Sequence, residues 1–249
     1  MYGASDRGTV NISSLNKDNI KYSLLLLSKR FNYNRWIYNN IKDFIGDNIL
    51  EVGAGIGNIT DFIIFKQKLT LIDINPDYIN YLREKYAFLD KSNFSVYHVD
   101  IQDIQSSPLQ GKKFDTVICL NILEHLGNDR LAVENMTSLL LPGGKLIILI
   151  PALKSLYGSM DISFEHRRRY NKKDLKMLIR DRNLKIVRLY YMNFLGLLGW
   201  FFNGRILKKK ELPENQTKLF DKLVPLMGIT EKLIKPPWGQ SLILVAQKQ

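Results

Sequence analysis

An α/β fold wound on both sides of a mostly parallel sheet is expected for this 249-residue chain, on three observations. Short apolar runs alternate with amphipathic ones, the pattern of βαβ units. The run at 49–52 leads into Gly53-Ala54-Gly55-Ile56-Gly57, with a glycine at every second position. Four consecutive runs then carry a polar residue at or near their ends: Glu51, Asp73, Asp100 and Asn121. The C-terminal edge of such a sheet is where ligands bind.

Residues 1–20 are polar and lack the apolar centre of a secretory signal; 1–14 is expected as a mobile tail. Tyr33-Asn34-Arg35-Trp36 stands before the first strand. Tyr33 and Trp36 are placed to cover a ligand from an N-terminal helical lid, or, for Trp36 equally, to pack in the core. Glycine permits a tight turn and close approach of backbone to ligand, and residues 58–65 are expected to open a helix whose N–H groups face that ligand. A phosphate-cradling P-loop is excluded because Asn58-Ile59-Thr60, not Lys-Ser/Thr, follows Gly57. The dinucleotide pattern G-x-G-x-x-G fails at Asn58. The next strands are 69–72, ending at Asp73, 95–99, ending at Asp100, and 115–120, ending at Asn121 and running into Ile122-Leu123-Glu124-His125-Leu126. Asp73, about twenty residues past the first glycine, is where a doubly wound sheet puts an acid on ribose hydroxyls. A Pro142-Gly143-Gly144 turn precedes 145–150, and two further strands are read at 185–191 and 241–246.

In order and spacing, ILEVGAGIGN, LTLIDIN, VYHVDIQDI, FDTVICLNILEHL and LLLPGGKLIILIP resemble the successive motifs of class I S-adenosylmethionine-dependent methyltransferases across residues 30–190. The resemblance implies a single domain over 1–249 with a seven-stranded sheet whose last strand is antiparallel, helices on both faces, and S-adenosylmethionine as cofactor. It divides the chain into a tail and helical lid (1–45), a cofactor-binding core (46–192), a helical apolar and basic insertion (193–238) and a closing strand (239–249). It implies that Glu51, Gly53, Ala54, Gly55 and Gly57 contact the methionine part, Asp73 the ribose with Ile74 against adenine, Asp100 the adenine amino group with Ile101 beside the ring, and Asn121 and Ile122 the region of the reacting sulfur. The segments YGSMD and EHRRRY resemble a bacterial and archaeal subgroup and are expected at the mouth of the acceptor pocket. Tyr157 and Arg167 are the candidates there, since only one of three consecutive arginines can face the pocket and a guanidinium pairs with phosphate or carboxylate oxygens. The sulfonium is already activated, so the protein chiefly aligns the reactants and excludes water. For a hydroxyl acceptor, the default, a base is expected at His125, then His166 or Asp161. The alternative is a non-catalytic cofactor-binding or scaffold protein.

Net charge is +12, and all of it comes from residues 151–249, which hold 20 Lys/Arg against 8 Asp/Glu. That asymmetry suggests an anionic partner. Residues 194–202 are almost wholly apolar, too few to span a bilayer, and are followed by Arg205 and Lys208-Lys209-Lys210. A peripheral contact with an anionic membrane through 194–210 and a lid or dimer contact are the two readings. Nucleic acid is disfavoured, because the basic residues do not alternate with stacking aromatics. Pro225 is expected to kink or divide an amphipathic stretch at 218–235. The single cysteine, Cys119, fits a reducing cytoplasm and a core position. No metal is expected, since the histidines stand isolated in the sequence.

Overall fold

The computed structural model describes residues 19–249; the expected tail at 1–14 lies outside them. Two helices, α1 (Asn19–Ser28) and α2 (Phe31–Ile41), precede β1 (Asn48–Val52). Then come β2 (Lys68–Asp73), α3 (Pro76–Lys85), β3 (Phe94–His98), β4 (Phe114–Leu120), α4 (Asp129–Ser138) and β5 (Leu140–Pro151). The remainder is α5 (Ser159–Ser163), α6 (Lys172–Ile179), β6 (Leu184–Met192), α7 (Phe194–Phe201), α8 (Glu214–Ile234) and β7 (Ser241–Lys248). One sheet runs β3-β2-β1-β4-β5-β7-β6, parallel except that β7 is antiparallel to both β5 and β6. The chain winds outward from β1 to β3 and then crosses to β4, so the C-terminal ends of β1 and β4 flank the topological switch point.

Alternation along the strands fills both faces. Leu50, Val52, Val117 and Cys119 face a core closed by α4 and α6 through Val133, Met136 and Leu175. Ile49, Leu71 and Ile118 face a second core closed by α2, α3 and α8 through Ile37, Leu82 and Met227. Helix starts follow their capping residues: the Asn75 side chain accepts from the Asp77 N–H, with Pro76 at the first helical position.

Two expectations fail for local reasons. Residues 58–65 form turns and one 3₁₀ turn, Thr60–Phe62, instead of an α-helix. Ile59, Thr60, Ile63 and Ile64 are β-branched and poor helix formers. Thr60 donates to Glu51 (2.7 Å), and Asp61 accepts from Lys85 and Tyr86, so tertiary partners hold the segment. Pro225, in turn, does not divide its stretch, because it lies inside one continuous α8. Proline leaves the carbonyl four residues earlier without its helical donor, and that carbonyl, on Asp221, accepts from Asn32 Nδ2 at 3.2 Å.

Candidate functional site

At the end of β1 the Gly53 and Ala54 N–H groups both donate to Ile72 O of β2 (2.8 and 3.1 Å). Gly53 has φ +71°, and a side chain there would collide with Ile122; this is the close approach that only glycine allows. Asp73 pins the turn: its carboxylate accepts from the Gly55 N–H (2.8 Å) and the Asn75 N–H (2.9 Å). Burial raises its carboxyl pKa, and these backbone donors work against that rise. Across the switch point Asn121 leaves β4 in the left-handed region at φ +54°, a conformation an asparagine tolerates.

These residues open onto a cavity of about 610 Å³ beneath α1, α2, α7 and α8. Of the residues singled out in the sequence, Glu51, Gly53, Ala54, Gly55, Asp73, Ile74, Asn121 and Ile122 line it at one end. Tyr33, His125 and His166 line it as well. Burial pushes the Tyr33 hydroxyl up to about 12, with an opposing hydrogen bond from Asn193, so it stays protonated. Burial likewise pushes Glu51 up to about 7, and the Thr60 hydrogen bond offsets part of that.

The sign of the Glu51 shift is testable. In the folded apo-protein it keeps its proton to about 7, whereas unfolded it ionises near its ordinary value. Between those two values the folded state binds more protons, so the Glu51 contribution makes stability fall as pH rises. Glu51→Gln should flatten this part of the curve, read as the wild-type-minus-variant difference in urea midpoints from pH 4 to pH 8.

Other expected site residues lie elsewhere. Gly57, at φ +82°, packs against Leu82 of α3 and Tyr86 just past its end. Asp100 accepts from the Gln102 N–H (2.8 Å) in the turn after β3, and Ile101 is buried in the core; neither lines the cavity. Trp36 takes the core alternative, buried beside Gly228 of α8. Tyr157 donates to the His166 carbonyl (2.7 Å), outside the lining. Arg167 is exposed, with Nε on the His125 carbonyl (2.9 Å). It is Arg169 that enters the cavity wall, fully buried, with Nε on Asp161 (2.7 Å) and Nη1 on Ala152 O (2.8 Å).

Asp161 is a hub rather than a base. It accepts from His166 Nδ1 (2.8 Å), Arg169 Nε (2.7 Å), Trp200 Nε1 (3.1 Å) and the Gly158 N–H (3.0 Å). Burial acts to raise its carboxyl pKa, but the donors from His166 and Arg169 outweigh it and hold the group low. His125, 5.0 Å from the His166 ring centre, is pulled down to about 4 by burial and by His166. The histidines that stood isolated in the sequence are therefore adjacent, and Glu124 joins them. Glu124 and Arg30 were missed. Both line the cavity; Arg30 reaches it from the start of α2 with Nη2 buried and without a hydrogen bond. Their sequence signal was weak: Arg30 is one of two adjacent cations, Lys29-Arg30, and Glu124 sits one residue past the apolar run, beside His125.

The residues at the glycine end suit S-adenosylmethionine. Asp73 retains acceptor capacity for ribose hydroxyls beyond its two backbone donors, and the Arg30 cation with a free donor suits a carboxylate.

Comparison with known proteins agrees. Residues 50–146 match the model of a protein family described as a methyltransferase domain. The chain is 30% identical over 108 residues to a ubiquinone biosynthesis O-methyltransferase of Xanthomonas euvesicatoria pv. vesicatoria, covering 43% of this chain and 44% of that protein. It is 27% identical over 144 residues to probable polyketide synthase 41 of Dictyostelium discoideum, covering 49% of this chain and 6% of that protein. The chain thus spans less than half the length of these relatives. Among solved structures, a methyltransferase from Bacillus halodurans superposes with TM-score 0.56 at 17% identity, over 82% of this chain and 93% of its own. The N-methyltransferase NodS of Bradyrhizobium japonicum, in complex with S-adenosyl-L-homocysteine, superposes with TM-score 0.55 at 14% identity, over 98% and 93%. Fold, motif order and family match coincide: residues 50–146 match a methyltransferase-domain model, and the surrounding fold is similar to that of S-adenosylmethionine-dependent methyltransferases.

Proposed function

We propose that the protein transfers the methyl group of S-adenosylmethionine to an oxygen of a small or lipid-linked acceptor. One observation carries this: the glycine end and the polar cluster Glu124, His125, His166 and Arg169 share one cavity. In that reading Asp73 takes the ribose hydroxyls, Arg30 the methionyl carboxylate, and the acceptor sits beside His166. The methyl donor supplies the activated carbon; the protein aligns it and excludes water. With Nδ1 committed to Asp161, His166 keeps Nε2 for the acceptor side of the cavity. Methyl-labelled S-adenosylmethionine incubated with extracted lipids, quinones and sugars tests the reading, which requires label in a product. Binding without turnover on any of them would favour the non-catalytic alternative.

The surface beside the cavity favours a lipid-linked acceptor. No helix among the described residues is long and apolar enough to cross a membrane. On α8, Leu219, Leu223, Leu226 and Leu233 are exposed along one stripe, at helical spacing. Leu198, Phe201 and Phe202 are exposed on α7 and the turn after it. The two helices are tied together where Glu231 accepts from the Asn193 and Phe194 N–H groups (2.9 and 2.6 Å). Lys208, Lys210, Lys222 and Lys232 are exposed around this apolar area, a combination suited to an anionic membrane surface. The protein should therefore sediment with phosphatidylserine vesicles and not with phosphatidylcholine vesicles. Replacing Lys208, Lys209 and Lys210 by glutamate should return most of it to the supernatant.

A further inference from the structure

We propose that Glu124, His125 and His166 bind one divalent transition-metal ion in the wall of the acceptor pocket. Their donor atoms, one carboxylate oxygen and two imidazole nitrogens, lie within 4.8 Å of one another. Some point therefore lies within about 2.8 Å of all three atoms, so the ligands need to close in by no more than ~0.7 Å to reach ordinary ligand distances.

Each ligand is prepared independently. Glu124 is fully buried, and neither of its oxygens has a hydrogen-bond partner beyond the residue's own amide. A sealed carboxyl without a donor is costly unless a cation or proton completes it. His166 turns Nδ1 to the buried Asp161 carboxylate (2.8 Å), so that nitrogen carries the proton and Nε2 is left as a ligand. Asp161 is fixed in turn by Arg169 and Trp200. A carboxylate that orients a histidine in this way is a recurrent device behind metal-bound imidazoles. Glu124 and His125 share one turn, held by the Arg167 N–H on Glu124 O (2.8 Å) and Arg167 Nε on His125 O (2.9 Å). All three ligands line the cavity.

Two imidazoles and one carboxylate suit zinc, manganese, iron or cobalt better than calcium or magnesium, which take oxygen ligands. Three protein ligands leave open positions towards the cavity, as in catalytic rather than structural sites. What fills those positions rests on the methyl-transfer reading: an acceptor oxygen, whose proton is released to solvent as coordination lowers its pKa. The new bond then forms between that oxygen and the methyl carbon while the carbon–sulfur bond breaks, and a neutral thioether departs. His166 acts in this scheme as a ligand, not as the proton acceptor.

The test is titration of chelator-treated protein with Co²⁺, followed by its visible absorption, with Zn²⁺ as competitor. The expected result is one Co²⁺ per chain, displaced by Zn²⁺, with binding weakened roughly 100-fold or more in Glu124→Gln and in His166→Gln. Circular dichroism confirms that the variants are folded. Absence of Co²⁺ binding at millimolar concentration, or equal binding by wild type and both variants, would overturn the proposal. Glu124 would then be a water-bridged partner of Arg169, and His166 the base. A parallel titration with S-adenosylhomocysteine keeps the two readings apart, since donor binding and metal binding can fail separately.

Discussion

Asp161→Ala is expected to lower folding stability by about 3–5 kcal/mol, the usual cost of leaving a buried charge without its partner, read as the shift in a urea unfolding curve. The carboxylate is fully buried and takes four donors, and the substitution strands them together. The Arg169 guanidinium would keep only Ala152 O as a hydrogen-bond acceptor, since its Nη2 already has none. Trp200 stacks under that guanidinium, 4.7 Å away, and belongs with Met160 and Phe164 to the small core beneath the cavity. Damage should therefore spread into α7 and the acceptor wall. Asp161→Asn keeps one acceptor oxygen and should lose clearly less. Equal losses in the two variants would mean that the charge itself is what matters. A loss below about 1 kcal/mol in the alanine variant would contradict the hub assignment.

Asp73→Ala is expected to weaken S-adenosylhomocysteine binding by about 2–3 kcal/mol, on the scale of hydrogen bonds to a charged group in a dry site. Two effects combine. The variant loses the acceptor for the ribose hydroxyls, and it loses the hydrogen bonds that pin Gly55 and Asn75. Asp73→Asn separates them, because its carbonyl oxygen can still hold one backbone donor while the charge is gone. Calorimetry on both variants apportions the loss, and unchanged affinity in Asp73→Ala would remove Asp73 from the donor site.

The glycine end of the cavity was legible in the sequence because its residues are local to strand ends. Glu51, Asp73 and Asn121 each follow an apolar run by simple adjacency, and a doubly wound sheet brings such ends to one edge. Asp100 shows the limit of that logic. Its strand-end position is as expected, yet it turns into a local hydrogen bond with the Gln102 N–H and does not line the cavity, a placement that strand periodicity does not report. The wall around Asp161 depends on contacts distant in the chain: Trp200 reaches Asp161 across 39 positions, and Arg169 rather than Arg167 points inward because of where Asp161 and Ala152 sit. No pattern in the run of three arginines distinguishes them. The same holds for His125 and His166, isolated in sequence and neighbours in space. That α8 is not divided at Pro225 has a related reason: the partner for the freed carbonyl is Asn32, on another helix.

The central claim is that the cavity at the switch point receives S-adenosylmethionine. Isothermal calorimetry of the purified chain with S-adenosylhomocysteine tests it most directly. The account predicts saturable binding of one molecule per chain, weakened in Asp73→Ala. Absence of heat or saturation at millimolar ligand, with the protein folded by circular dichroism, would contradict it.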